Sequence, residues 1–161
     1  MLEKLTGLHQ VRSWHGEMPV SHRYTAGLAG ETFFRALKDD GTFLATRCEN
    51  CGVTYCPARA FCERCLSPLD DYFEVGPEGT LESFTVVYRD LDEQPLGEPV
   101  VIGLIRLVGA DTALVHRLEV PSRAVLRIGI PLEPVLKPKA SREGSLNDVE
   151  YFKPVVGPRR R

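Results

Sequence analysis

No run in this sequence approaches the roughly 18–20 consecutive apolar residues that a membrane-crossing helix needs, which excludes a helical span. A basic excess is missing too. Lys and Arg number 20 against 22 Asp and Glu, giving a formal net charge of −2 and a pI of about 6.1. Proteins that neutralise nucleic-acid phosphates usually carry the opposite balance. There is no glycine-rich phosphate loop. Met1–Leu5 lack the basic-then-apolar layout of a secretion signal, so the expected location is cytoplasmic. Cysteine is confined to one short stretch: all five lie between positions 48 and 65. An odd, clustered set without a secretion signal points to metal binding and away from disulfides.

What is present is an ordinary globular mix, 43% hydrophobic and 26% charged, over 161 residues. That suits one medium domain or a small domain with an appendage. Residues 1–24 are weakly patterned but hold Trp14, Met18 and Tyr24, the composition of an arm that lies on a surface, its own or a partner's. Over residues 30–41, Phe33 and Leu37 stand four apart beside Phe34, which predicts a short amphipathic helix stopped by Gly41. After the cysteines the texture turns β-rich: Leu81–Tyr88, Val100–Val108, Thr112–Leu118, Pro131–Lys137 and Val149–Val155. Pro95, Gly97 and Pro99, then Gly109-Ala110-Asp111, are the turn signals between the first three. Gly103 inside an apolar strand predicts a bulge or tight bend. Residues 138–148 are polar and predict a mobile loop. Five short strands with an interior glycine suit a small closed barrel of the OB type. The expected fold is mainly β: an N-terminal arm and helix (1–41), a rubredoxin-like zinc ribbon (42–70), an OB barrel (71–155) and a basic tail (156–161).

The chemistry sits in the cysteines. Cys48-x2-Cys51, ten residues, then Cys62-x2-Cys65 form two knuckles that can face each other across a short hairpin. Two-residue spacing turns both thiolates of a pair toward one ion, and Gly52 suits the left-handed position that such a turn needs. Four thiolates favour Zn²⁺ or iron and leave no open coordination position, so the metal is structural and not hydrolytic. Arg47, Arg59 and Arg64 can offset the formal −2 of a zinc tetrathiolate, or serve as ordinary surface charges. Cys56, in the strand-like Val53–Pro57 stretch, reads as a small buried residue in preference to a nucleophile. His116 reads as a satisfied strand histidine in preference to a catalytic base, and His9, His15 and His22 fall in the arm. No nucleophile, base and oxyanion set is present, so no catalytic residue is assigned.

The order of parts resembles the zinc-ribbon and OB-fold proteins that accompany thiolases and other acyl-CoA enzymes. The resemblance is carried by Arg23-Tyr24-Thr25-Ala26-Gly27 and Ala29-Gly30-Glu31 before Phe33–Leu37. Gly41–Leu44 then leads into Arg47-Cys48-Glu49-Asn50-Cys51-Gly52, followed by Phe61-Cys62-Glu63-Arg64-Cys65 and Gly79–Val87. It spans roughly residues 23–155. Cys56 and Ala58 depart from the aromatic and second proline that the family often places before the position of Arg59. The resemblance implies a non-catalytic accessory subunit that pairs with a thiolase-fold enzyme in a hetero-oligomer, binds one structural zinc and helps to seat a coenzyme A ester. The CoA phosphates would need cations. Of the many in the barrel half, Arg89 and Lys137 are the candidates. Two other classes compete: a nucleic-acid-binding ribbon and OB module, and a self-sufficient thioester enzyme using Cys56.

Overall fold

The structure is a computed structural model that describes residue 21, residues 24–122 and residues 125–155. Most of the N-terminal arm, with Trp14 and Met18, and the 156–161 tail lie outside the described residues. Helix α1 (Gly27–Asp39) begins three residues before the expected start, at Gly27 with φ +69°. Ala29, Phe33 and Leu37, one every turn, are its buried face. Gly41, at φ +75°, stops it as expected, and the N–H groups of Asp40 and Gly41 both reach the Ala36 carbonyl.

Three short strands follow: β1 (Phe43–Arg47), β2 (Thr54–Tyr55) and β3 (Tyr72–Val75). They form an antiparallel sheet in the order β2-β1-β3. Because β3 pairs with β1, the sheet that carries the cysteines reaches Val75, beyond residue 70. Five strands then close a barrel: β4 (Gly79–Arg89), β5 (Pro95–Leu107), β6 (Ala113–Leu118), β7 (Pro131–Leu136) and β8 (Val149–Pro154), in the order β4-β5-β6-β8-β7. The single parallel contact, Leu118 with Phe152, closes the ring between β6 and β8.

Three expectations change. Gly103 is not a bulge; it pairs in register with Phe84 and His116. A Cβ there would lie 2.8 Å from Leu118 Cδ1 and 2.9 Å from Leu81 Cδ1, so the glycine makes room for two leucines that fill the barrel. The irregularities fall instead between Leu81 and Ser83 and between Val87 and Arg89. Pro95, Gly97 and Pro99 lie within β5, and the chain turns at Asp90–Gln94. Pro95 opens β5 opposite Arg89, and Pro99, which has no N–H for a ladder, ends the unpaired stretch 96–99 that lies opposite the irregularity between Val87 and Arg89. Residues 138–148 are folded. Two 3₁₀ turns, Lys139–Ser141 and Leu146–Asp148, surround the fully buried carboxylate of Asp148. That carboxylate accepts from the N–H groups of Glu143 (2.8 Å), Gly144 (2.7 Å) and Ser145 (3.3 Å).

One core runs through all three parts. Phe33 of α1 meets Phe43 of β1 at 6.3 Å between ring centres, and Phe43 meets Phe152 of β8 at 6.4 Å. Side chains of the β5–β6 turn fasten the ribbon to the barrel. Asp111 accepts from Thr54 N–H (2.8 Å) and returns its own N–H to the Thr54 carbonyl (2.9 Å). Thr112 Oγ1 accepts from Cys56 N–H (2.8 Å) and donates to the Cys56 carbonyl (2.9 Å).

Candidate metal centre

Two tight turns bring the four cysteines together. In the first, Gly52 N–H reaches the Cys48 carbonyl at 2.7 Å and Cys48 N–H reaches the Val53 carbonyl at 2.9 Å. The second repeats this pattern: Leu66 N–H to Cys62 carbonyl and Cys62 N–H to Ser67 carbonyl, each 2.9 Å. Gly52 takes φ +68° as expected, while the equivalent place in the second turn is held by Leu66 at φ +59°. Asn50 Nδ2 donates to Ser67 Oγ at 2.9 Å and ties one turn to the other.

The Sγ atoms of Cys48, Cys51, Cys62 and Cys65 all lie within 4.8 Å of one another, with Cys48 and Cys65 at 3.5 Å. A zinc–thiolate bond of about 2.3 Å would set tetrahedral sulfurs about 3.8 Å apart. The cluster therefore fits one tetrahedral ion held by these four residues. The surroundings fit as well. Tyr55 Oη hydrogen-bonds Cys62 Sγ at 3.3 Å and holds that thiol down to about 6. Ser67 lowers Cys65 through its hydroxyl and its N–H. Cys48 is raised by burial, and Cys51 is pushed up to about 12, first by its hydrogen bond with Cys65. Four sulfurs this close cannot all ionise without a cation among them, so the two groups move apart. Arg59 pairs with Glu63 and stacks over the Tyr55 ring at 5.2 Å, while Arg47 and Arg64 are exposed. Cysteine spacing does not mark Tyr55 as a neighbour of the metal site, since a tyrosine carries no ligand signature of its own.

The other sequence candidates are scattered. Cys56 is buried, burial pushes its thiol up to about 12, and its backbone is engaged by Thr112. His116 is half-buried, with Nε2 3.2 Å from the Leu146 carbonyl and its ring against Phe152. Arg89 and Lys137 are not brought together. β4 pairs antiparallel with β7 only at Gly79 and Thr80, so the far end of β4, which carries Arg89, points away from the end of β7 that precedes Lys137. Arg89 lies at the β4–β5 turn, where Nη1 donates to the Glu93 carbonyl at 2.7 Å among Asp90, Asp92 and Glu93. Neither residue lines the groove between α1 and Glu143-Gly144 or the apolar groove of Val120, Val125, Ile130 and Tyr151. Among the described residues no helix is long and apolar enough to cross a membrane.

A ribbon with a four-thiolate metal site, packed on a five-stranded OB barrel, defines the class of this protein. Residues 35–70 match the family model for the rubredoxin-like zinc ribbon domain of ChsH2, and residues 72–137 match the model for its C-terminal OB-fold domain. Both domains occur in one order over more than half of the chain, and the chain belongs to the family of ChsH2-type zinc-ribbon and OB-fold proteins. A "DUF35 domain-containing scaffold protein" of Methanocaldococcus jannaschii is 28% identical over 78 residues, which cover 46% of this chain and 53% of that one. The chain thus matches about half the length of that curated relative. A DUF35-family protein of unknown function from Sulfolobus solfataricus superposes with a TM-score of 0.62 at 27% identity, over 80% of this chain and 86% of the other. A chain of the "Ltp2-ChsH2(DUF35) aldolase" shares the fold at a TM-score of 0.58 and 22% identity, over 83% of this chain and all of that one.

Proposed function

We propose that this protein is a non-catalytic, zinc-stapled accessory subunit of a thiolase-type acyl-CoA enzyme, supporting the partner's assembly and the seating of its CoA ester. The observation that carries the reading is the pair of ChsH2-type domains in one chain whose metal site is saturated by its own thiolates. Zinc held by Cys48, Cys51, Cys62 and Cys65 has no position left for water or substrate, so its work is to hold the ribbon in shape. The relative named as a scaffold and the fold neighbour from the Ltp2-ChsH2(DUF35) aldolase both support a partner-holding role. The described residues offer no nucleophile beside a base: Cys56 is a protonated core thiol and His116 is bonded to a backbone carbonyl.

The barrel surface favours a protein partner over a polyanion. On the β5 and β6 face, exposed Leu104 and Val115 share an apolar groove with Phe84, and the neighbouring Arg106 and Arg117 are already paired with Glu82 and Glu119, so the cations that a single strand would need are neutralised within the chain. Affinity purification of the tagged chain from its native cells, with mass spectrometry of what co-purifies, tests the reading. A thiolase-fold enzyme in stoichiometric amount is expected. Recovery of the chain alone or with nucleic acid overturns it.

A further inference from the structure

The four clustered sulfurs are not alike. Cys48 and Cys62 are buried, Cys51 is half-buried, and Cys65 alone of the four is exposed. Cys62 is held from two sides, its Sγ 3.3 Å from Tyr55 Oη and 3.4 Å from the Arg64 N–H that donates to it. Cys65 Sγ lies at the surface, 3.2 Å from the Ser67 hydroxyl, which in turn accepts from Asn50 Nδ2 at 2.9 Å. Cys48 Sγ stands 3.5 Å from Cys65 Sγ, across the two knuckles. An exposed sulfur thus has a buried one in contact behind it.

Coordination deprotonates all four cysteines, so each sulfur carries the electron pair that attacks an oxidant. Exposure decides which sulfur an oxidant reaches first, and a second thiolate alongside decides what the product becomes. We propose that Cys65 is an oxidation site for hydroperoxides, with Cys48 as its resolving partner, and that the pair lets the ribbon give up its metal reversibly. The Cys65 thiolate attacks the terminal oxygen of the hydroperoxide. An S–O bond forms, the O–O bond breaks, and the departing oxide takes a proton from water. The Cys48 thiolate then attacks the Cys65 sulfur. An S–S bond forms, the S–O bond breaks, and hydroxide leaves. Two thiolates lose two electrons, and the hydroperoxide is reduced to an alcohol (water, for hydrogen peroxide) and water. Two of the four ligands are then lost to the metal, and the small cluster of Cys48, Val53, Tyr55, Cys62 and Leu69 opens. Asp111 and Thr112 keep their grip on Thr54 and Cys56, so the ribbon stays on the barrel and closes again when a thiol reduces the disulfide and zinc returns.

The test treats the zinc-loaded full chain with hydrogen peroxide, follows zinc release by a colorimetric assay and places the disulfide by peptide mass mapping. Loss of the bound zinc in step with a Cys48–Cys65 disulfide is expected, and dithiothreitol with added zinc is expected to restore the bound metal. Ser67→Ala, first shown to hold zinc without peroxide, lacks the hydroxyl that draws charge from the Cys65 sulfur, and is expected to release zinc about threefold or more faster. Zinc retained at a peroxide concentration that oxidises free glutathione in the same time overturns the proposal. So does a disulfide from Cys65 to Cys51 or Cys62, or a Ser67→Ala rate equal to that of the unmodified chain.

Discussion

Tyr55 joins the two halves of the metal site at the scale of a single residue. Its hydroxyl reaches Cys62 Sγ, its ring lies under Arg59, and its side chain is buried between the knuckles. The bond also holds the phenol in its protonated form, pushing it up to about 12. Partners of this kind orient a thiolate and tune its basicity, and their loss typically costs about 10- to 100-fold in metal affinity. Tyr55→Phe is therefore expected to keep the fold and lose zinc to a chelator at about tenfold lower chelator concentration, read by a colorimetric zinc assay. Unchanged zinc retention would show the hydroxyl to be a bystander. The ligands themselves were legible, because cysteine spacing encodes them directly, and so was Gly52. Leu66 was not legible. It holds the left-handed place in the second knuckle, and nothing in a leucine's chemistry announces that conformation.

At the scale of elements, strands with alternating apolar residues were readable and the connection between β7 and β8 was not. Polar composition in residues 138–148 signals exposure only on average. Here one carboxylate organises three consecutive backbone donors, so the segment is built around a buried charge. Burial would raise the Asp148 carboxyl, but the N–H groups of Glu143, Gly144 and Ser145 outweigh it and hold the group below its ordinary value. A carboxyl lowered in the folded state contributes stability that is present above its unfolded value of about 3.9 and is lost as pH falls below that through the folded value. Asp148→Asn is expected to cost about 2–3 kcal/mol near neutral pH, from lost charge-assisted hydrogen bonds. Thermal melts should show the gap between the two proteins closing below about pH 4. A gap that stays constant into acid would mean the charge contributes nothing. Gly103 is the other element-scale misreading. An interior glycine signals close approach without saying whether backbone or side chains come near, and here Leu81 and Leu118 do.

Across the whole molecule the order of helix, ribbon and barrel was readable, but their fusion was not. Sequence shows which residues are apolar, not that Phe33, Phe43 and Phe152 belong to one core. Nor does it show that Asp111 and Thr112, far along the chain, would grip β2. The fusion leaves a second, smaller cluster outside that core: Cys48, Val53, Tyr55, Cys62 and Leu69. Such a cluster has little besides the metal to hold it. Cys48→Ser should release the zinc and expose the backbone amides around both knuckles to hydrogen exchange, while β5 and β6 stay protected. Loss of protection throughout the barrel would show that metal and barrel fold as one unit. Retained protection at the knuckles would show that the metal is dispensable.

The central claim is that this chain supports catalysis without performing it. Acyl-CoA turnover measured for the isolated chain, for its co-purified enzyme, and for the two recombined tests that most directly. The account predicts no turnover by the chain alone and a higher rate, or a longer-lived one, for the recombined pair than for the enzyme by itself. Turnover by the isolated chain, or an enzyme indifferent to its presence, would contradict it.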